Sequence, residues 1–106
     1  MSISLIMAMA LVSQPSAAPN SSDEAAQCGW ALHREIALHE GSSTVSLERA
    51  RDRWSGALSA RARAAGMTSE DYQQTVDRAL EALRAMDADN PEAVSQLAAW
   101  CDGNQP

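Results

Sequence analysis

A chain of 106 residues with a net charge of −6 has room for one domain, and it lacks the cationic surface that nucleic acid or an anionic lipid surface requires. Every fixed positive charge is an Arg, Phe is absent and alanine is abundant, so the core must be thin and its helices close together. Small domains of this kind usually carry a covalent or metal staple.

The chain opens on an uncharged run from Ile3 to Val12. It is too short for a membrane-spanning helix, which needs about 20 residues, but it has the length of a signal-peptide apolar region. Ser16-Ala17-Ala18 follows with small residues suited to cleavage. The expectation is a signal peptide over residues 1–18, a linker and helix start over 19–24, and an all-helical domain over 22–103. Such a protein is periplasmic or secreted and keeps no stable membrane anchor after processing.

The mature part reads as four helices without strand alternation. The first begins at Ser21-Ser22-Asp23-Glu24, a Ser-x-x-Glu capping box with acids in the first turn. It is expected to run to Glu40 and stop at Gly41. Cys28, Leu32, Ile36 and His39 share one face at helical spacing, whereas Trp30 points elsewhere and implies a second neighbour.

The second helix starts near Ser43 or Thr44 and ends before Gly66, with Leu47, Trp54, Leu58 and Ala65 on its apolar side. It carries five Arg against two acids, and the other three segments are acidic, so charge-matched packing is expected. Arg49, Arg53 and Arg63 lie opposite the apolar side; Arg51 and Arg61 flank it, where their stems can cover apolar surface and their heads can reach carboxylates.

The third helix opens on a Thr68–Asp71 capping box, with Met67 and Tyr72 placed for a hydrophobic staple. Tyr72, Val76, Ala79, Leu83 and Met86 form its apolar face, with Leu80 at the edge. The fourth opens at Asn90-Pro91, a cap followed by proline at the first helical position, and is expected to end at Gly103. Val94, Leu97, Ala98 and Cys101 form its inward stripe.

Cys28 and Cys101 both fall on core faces, one early in the first helix and one late in the last. Two cysteines in an exported chain read as one disulfide, and only one pairing is possible. The close Cys-x-x-Cys spacing of redox or metal sites is absent. The fold class expected is therefore all-α, a compact four-helix array with its first and last helices joined by the Cys28–Cys101 bond.

Chemistry is sparse. In His33-Arg34-Glu35-Ile36-Ala37-Leu38-His39-Glu40, Glu35 and His39 share one face and His33 and Glu40 another. A helix-borne zinc pair has histidines four apart, so this pattern reads as a polar helix end, with no metal ligands and no cofactor expected. No Ser-His-Asp or Cys-His arrangement carries a motif, and phosphate-cradling glycine loops are absent. The expectation is a non-enzymatic protein. Trp54 reads as core. Trp30 and Trp100, near the two cysteines, read as packing around the bond or as an anchor for a partner.

One cysteine early in the first mature helix (Cys28-Gly29-Trp30) and one closing a late helix (Trp100-Cys101-Asp102), in a small exported helical chain, resemble the periplasmic acid-stress chaperones of the HdeA type. The resemblance implies a homodimer at neutral pH that loosens in acid and holds other proteins. It transfers no functional residue beyond the cysteine pair. The leading expectation is action by protein binding, with an unidentified protein partner. The alternatives are an immunity or inhibitor protein that neutralises a toxin or hydrolase, and a small hydrolase or metal carrier.

Overall fold

The computed structural model describes residues 21–106, which form four α-helices and no strand. These are α1 (Ser22–Leu38), α2 (Val45–Ala64), α3 (Ser69–Asp89) and α4 (Pro91–Gly103). The expected signal peptide lies outside the described residues. Among the described residues no helix is long and apolar enough to cross a membrane.

Local chemistry sets most of the helix ends. Thr68 and Asp71 form the full capping box: the Asp71 N–H donates to Thr68 Oγ1 at 3.0 Å, and the Thr68 N–H donates to Asp71 Oδ2 at 3.3 Å. Helix α2 ends in a Schellman motif. Gly66 takes φ +69°, the Met67 N–H donates to the Ala62 carbonyl, and the Gly66 N–H donates to the Arg63 carbonyl.

Four expectations are corrected. At the start of α1, Ser21 caps the Glu24 N–H at 3.1 Å, but the Glu24 carboxylate does not return to Ser21. It turns to Arg61, a charge-assisted partner that outweighs a backbone N–H. The helix also stops at Leu38 rather than Glu40, with no basic side chain in its last turn to meet the negative end of the helix dipole. Its chain then leaves through tight turns and Gly41 at φ +97°.

Asn90 makes no side-chain cap, because its own carbonyl already accepts the Ala93 N–H while its N–H closes α3 on the Met86 carbonyl. Gly103 lies inside the last turn of α4, and Asn104 ends that helix instead. There the Asn104 Nδ2 group donates to the Trp100 carbonyl at 2.8 Å.

Helix α1 is the hub of the fold. It packs against α2, α3 and α4; α4 also meets α3 and, less, α2, whereas α2 and α3 hardly touch although they are consecutive. Arg61, near the end of α2, reaches the start of α1, so these two helices are antiparallel. Ser22 meets Met67 and Arg34 meets Asp87, so α3 runs alongside α1 in the same direction. Cys28 joins Cys101 and Glu35 meets Ser95, which sets α4 antiparallel to α1.

The core is thin, as alanine content requires. Ala25, Ala26, Ala31, Ala50, Ala79 and Ala98 supply much of it, around Leu32, Trp54, Val94 and the disulfide. On α2 the buried stripe is Ala50, Trp54, Leu58 and Ala62 at four-residue steps; Leu47 is half-buried, and Ala65, placed on that side by spacing, is exposed at the helix end. Thr75 is buried on α3, its hydroxyl donating to the Asp71 carbonyl. On α1 the stripe fades after Leu32: Ile36 is half-buried and His39 exposed. The hairpin beyond leaves Leu38 and Val45 60% and 56% exposed, so among the described residues no neighbour covers this end.

Candidate functional site

The gap between α2 and α3 makes the site. With α4 behind and the other two helices at the sides, α1 stays open along one face. Buried Ala25 and Ala26 and half-buried Gly29 form the floor of a groove beside it. Arg51, Ser55 and Leu58 of α2 make one wall, and Tyr72 and Val76 of α3 make the other. The groove holds about 250 Å³ and is lined mostly by apolar surface. Trp30 and His33 stand at its end and also border a second hollow of about 370 Å³ against Leu80, Leu83, Arg84 and Asp87 of α3.

Each lining group has a local cause. Trp30, off the buried stripe as its spacing implied, lays its indole toward α3 and donates from Nε1 to the Val76 carbonyl at 3.1 Å. The His33 ring meets it edge to face, with centroids 5.8 Å apart. Gly29 sits in mid-helix, where glycine costs about 0.8–1 kcal/mol against alanine. A Cβ built there would meet no neighbouring atom within 4 Å, so packing does not require the glycine.

Two adjacent acids tie the walls. Glu24 ion-pairs with Arg61 of α2 at 2.8 Å, and Asp23 with Arg78 of α3 at 2.8 Å. Arg61 also donates to the Ser21 carbonyl and lies over the Trp54 ring at 5.4 Å. The expected charge matching thus narrows to Arg61 among the five Arg of α2. Arg49, Arg53 and Arg63 are exposed, and among the described residues Arg51 meets only the neighbouring Asp52, at 3.6 Å.

The Glu35–His39 pairing expected from spacing is present, with His39 Nε2 3.4 Å from Glu35 Oε1. Its further partners were not legible: Glu35 Oε2 accepts from Ser95 Oγ at 2.7 Å and from Arg34 Nη1 at 3.0 Å, and Arg34 Nη2 pairs with Asp87 at 2.9 Å. The carboxylate therefore stands between hydroxyl and imidazole. A nucleophilic serine needs the imidazole in the middle, so this cluster clamps α4 and α3 to α1 and does not assemble a triad. His33 and Glu40 do not meet in any hydrogen bond or ion pair. Among the described residues no three His, Cys, Asp or Glu side chains gather to hold a metal ion.

The Cys28–Cys101 bond is formed, and both residues are fully buried. Trp100 stacks on Trp54 with centroids 6.4 Å apart, so it and Trp30 both pack against the core that surrounds the bond. No protein-family model, no curated protein and no solved structure matches the chain.

Proposed function

We propose that this chain is an exported, disulfide-stapled binding protein, non-enzymatic, that grips a segment of another protein in the groove over α1. One observation carries the reading: a mid-helix glycine, costly to the helix and unneeded by the core, lines a mostly apolar hollow between α2 and α3, two helices that hardly touch. Export is supported by the apolar run from Ile3 to Val12 and by a buried disulfide, a bond that persists in oxidising compartments.

The experiment is site-specific cross-linking. A photoreactive side chain at exposed Ser55, on the groove wall, is expected to give protein adducts in cells that produce the chain. Those adducts should vanish when Gly29→Leu fills the floor. Identical adducts with and without the filled floor would overturn the reading.

The pairing of Asp23 and Glu24 with opposite walls favours an acid-responsive form of the same role, in line with the HdeA-type resemblance. Below about pH 3 carboxylates as a class are protonated. The chain then carries about +10 from eight Arg and two His, which pushes the thin core apart and widens the groove. Client aggregation at pH 2–3, measured with and without the protein, tests this form: protection supports it, and an unprotected client removes it.

A further inference from the structure

We infer that the outward faces of α2 and α3 dock on each other between two copies of this chain, α2 of one molecule lying against α3 of the next. The inference goes beyond the binding role proposed above and does not depend on the groove.

Charge selects the occupant. On α2 the side turned away from the buried stripe Ala50, Trp54, Leu58 and Ala62 presents Arg49, Arg53 and Arg63. On α3 the side turned away from Thr75, Ala79 and Leu83 presents Glu70, Asp77 and Glu81. All six are exposed, and among the described residues none of them enters an ion pair; Asp77 alone is engaged, by the Gln73 amide at 2.9 Å. Asp52, the acid on the outer side of α2, leans to Arg51 at 3.6 Å. Of the two Arg of α3, Arg78 is held by Asp23 and Arg84 borders the second hollow, so neither interrupts the acidic stripe. A cationic face left without internal partners thus stands on an acidic molecule, and its complement stands on the same molecule's α3.

Direction and spacing fit as well. Helix α2 runs antiparallel to α1 and α3 runs along it, so a neighbour in the same orientation brings its α3 antiparallel to the first molecule's α2. Arg49 and Arg53 stand one turn apart, as do Asp77 and Glu81. Laid antiparallel, Arg49 meets Glu81, Arg53 meets Asp77, and Arg63 comes within one turn of the position opposite Glu70. Laid parallel, Arg63 falls opposite Pro91, past the end of α3. Between Arg53 and Arg63 the α2 surface is low: Gly56 and Ala60 are exposed there, and a Cβ built at Gly56 meets no atom within 4 Å, so a second helix can come close. Pairing α2 with α2, or α3 with α3, would oppose like charges. Because α2 and α3 flank α1 on different sides, each molecule meets two neighbours, and the contact propagates as a ring or chain instead of closing as a twofold pair.

The test is sedimentation velocity of the intact oxidised protein. Exposed pairs are individually weak, so association is expected at high protein concentration and low salt. It should weaken about tenfold or more between roughly 0.01 M and 1 M salt, where the screening length falls from about 30 Å to about 3 Å. Two charge-reversed proteins, Arg49→Glu with Arg53→Glu and Asp77→Arg with Glu81→Arg, should each be monomeric alone and should associate when mixed. Both stay net acidic, so bulk attraction between oppositely charged proteins does not explain that pairing. Glu40→Arg with Glu92→Arg, the same charge change at exposed sites off α3, should not pair with the α2 reversal. Thermal melts check that each variant folds, and the salt series on the wild type decides even if one does not. A wild-type protein that is monomeric at low salt, association unmoved by salt, a reversed protein that associates with itself, or a control that pairs as well as the α3 reversal would each overturn the inference.

Discussion

The indole N–H of Trp54 donates to the backbone carbonyl of Cys101 at 2.9 Å, linking the aromatic centre of α2 to the residue that closes the disulfide. The acceptor is one of the last carbonyls of α4, which no intrahelical N–H can reach. Asn104 serves the Trp100 carbonyl, Gln105 the Asp102 carbonyl and Trp54 the buried one between them. Trp54→Phe keeps most of the apolar volume and leaves that carbonyl without its donor. It should cost about 1–3 kcal/mol in urea denaturation, the range for a buried polar group left unpaired. A variant as stable as the parent would mean that water or a shifted side chain replaces the indole.

The staple itself should contribute more. Cys28→Ala or Cys101→Ala is expected to lower stability by roughly 2–5 kcal/mol, the range for small secreted domains. Because both sulfurs are fully buried, reductant should act on native protein only as fast as it opens. Thiol titration with and without denaturant checks both points, and two titratable thiols in the freshly purified native protein would refute the bond.

The two helix starts that look alike in sequence should behave differently. Thr68→Ala removes a formed cap and is expected to cost on the order of 1 kcal/mol. Asn90→Ala removes no cap bond and should fall within about ±0.5 kcal/mol, as ordinary surface changes do. Thermal melts of both variants decide it, and a larger loss at Asn90 would reverse the assignment.

Glu24 and Asp23 should differ in the same graded way. The Glu24 side chain is 9% exposed and its Arg61 partner 18%, against 37% and 61% for Asp23 and Arg78. Glu24→Gln is therefore expected to cost about 1.5–3 kcal/mol at neutral pH, as loss of a charged hydrogen bond does. Asp23→Asn should cost under about 1 kcal/mol. Urea titrations of both variants at neutral pH measure it; equal losses at the two positions would show that burial does not set the strength of these ion pairs.

What was legible in the sequence followed the range of the interactions. Thr68 and Asp71 meet across one turn, and the stripe Val94, Leu97, Ala98 and Cys101 needs only helical spacing, so both could be read directly. Asn90 could not, because its capping depends on a backbone shared by two helices. Glu24 looked like a box partner for Ser21 until packing offered it Arg61, 37 positions away. The groove was hidden for a related reason. Ala25, Ala26 and Gly29 look the same in sequence whether a neighbour covers them or not. Whether α2 and α3 meet above them is set by packing at a distance, and here the two helices hardly touch.

The position of the disulfide has a consequence for proteolysis. Cys28 and Cys101 close a covalent ring that contains both wall helices, and the 65–68 connection, exposed but for the half-buried Met67, follows Arg63. A tryptic cut at Arg63 would open the ring and release nothing. One piece keeps α1 with α2, the other keeps α3 with α4, and the sulfur bridge holds the two together. A nicked molecule should therefore migrate as a single species until it is reduced, with both walls still attached to the floor they enclose.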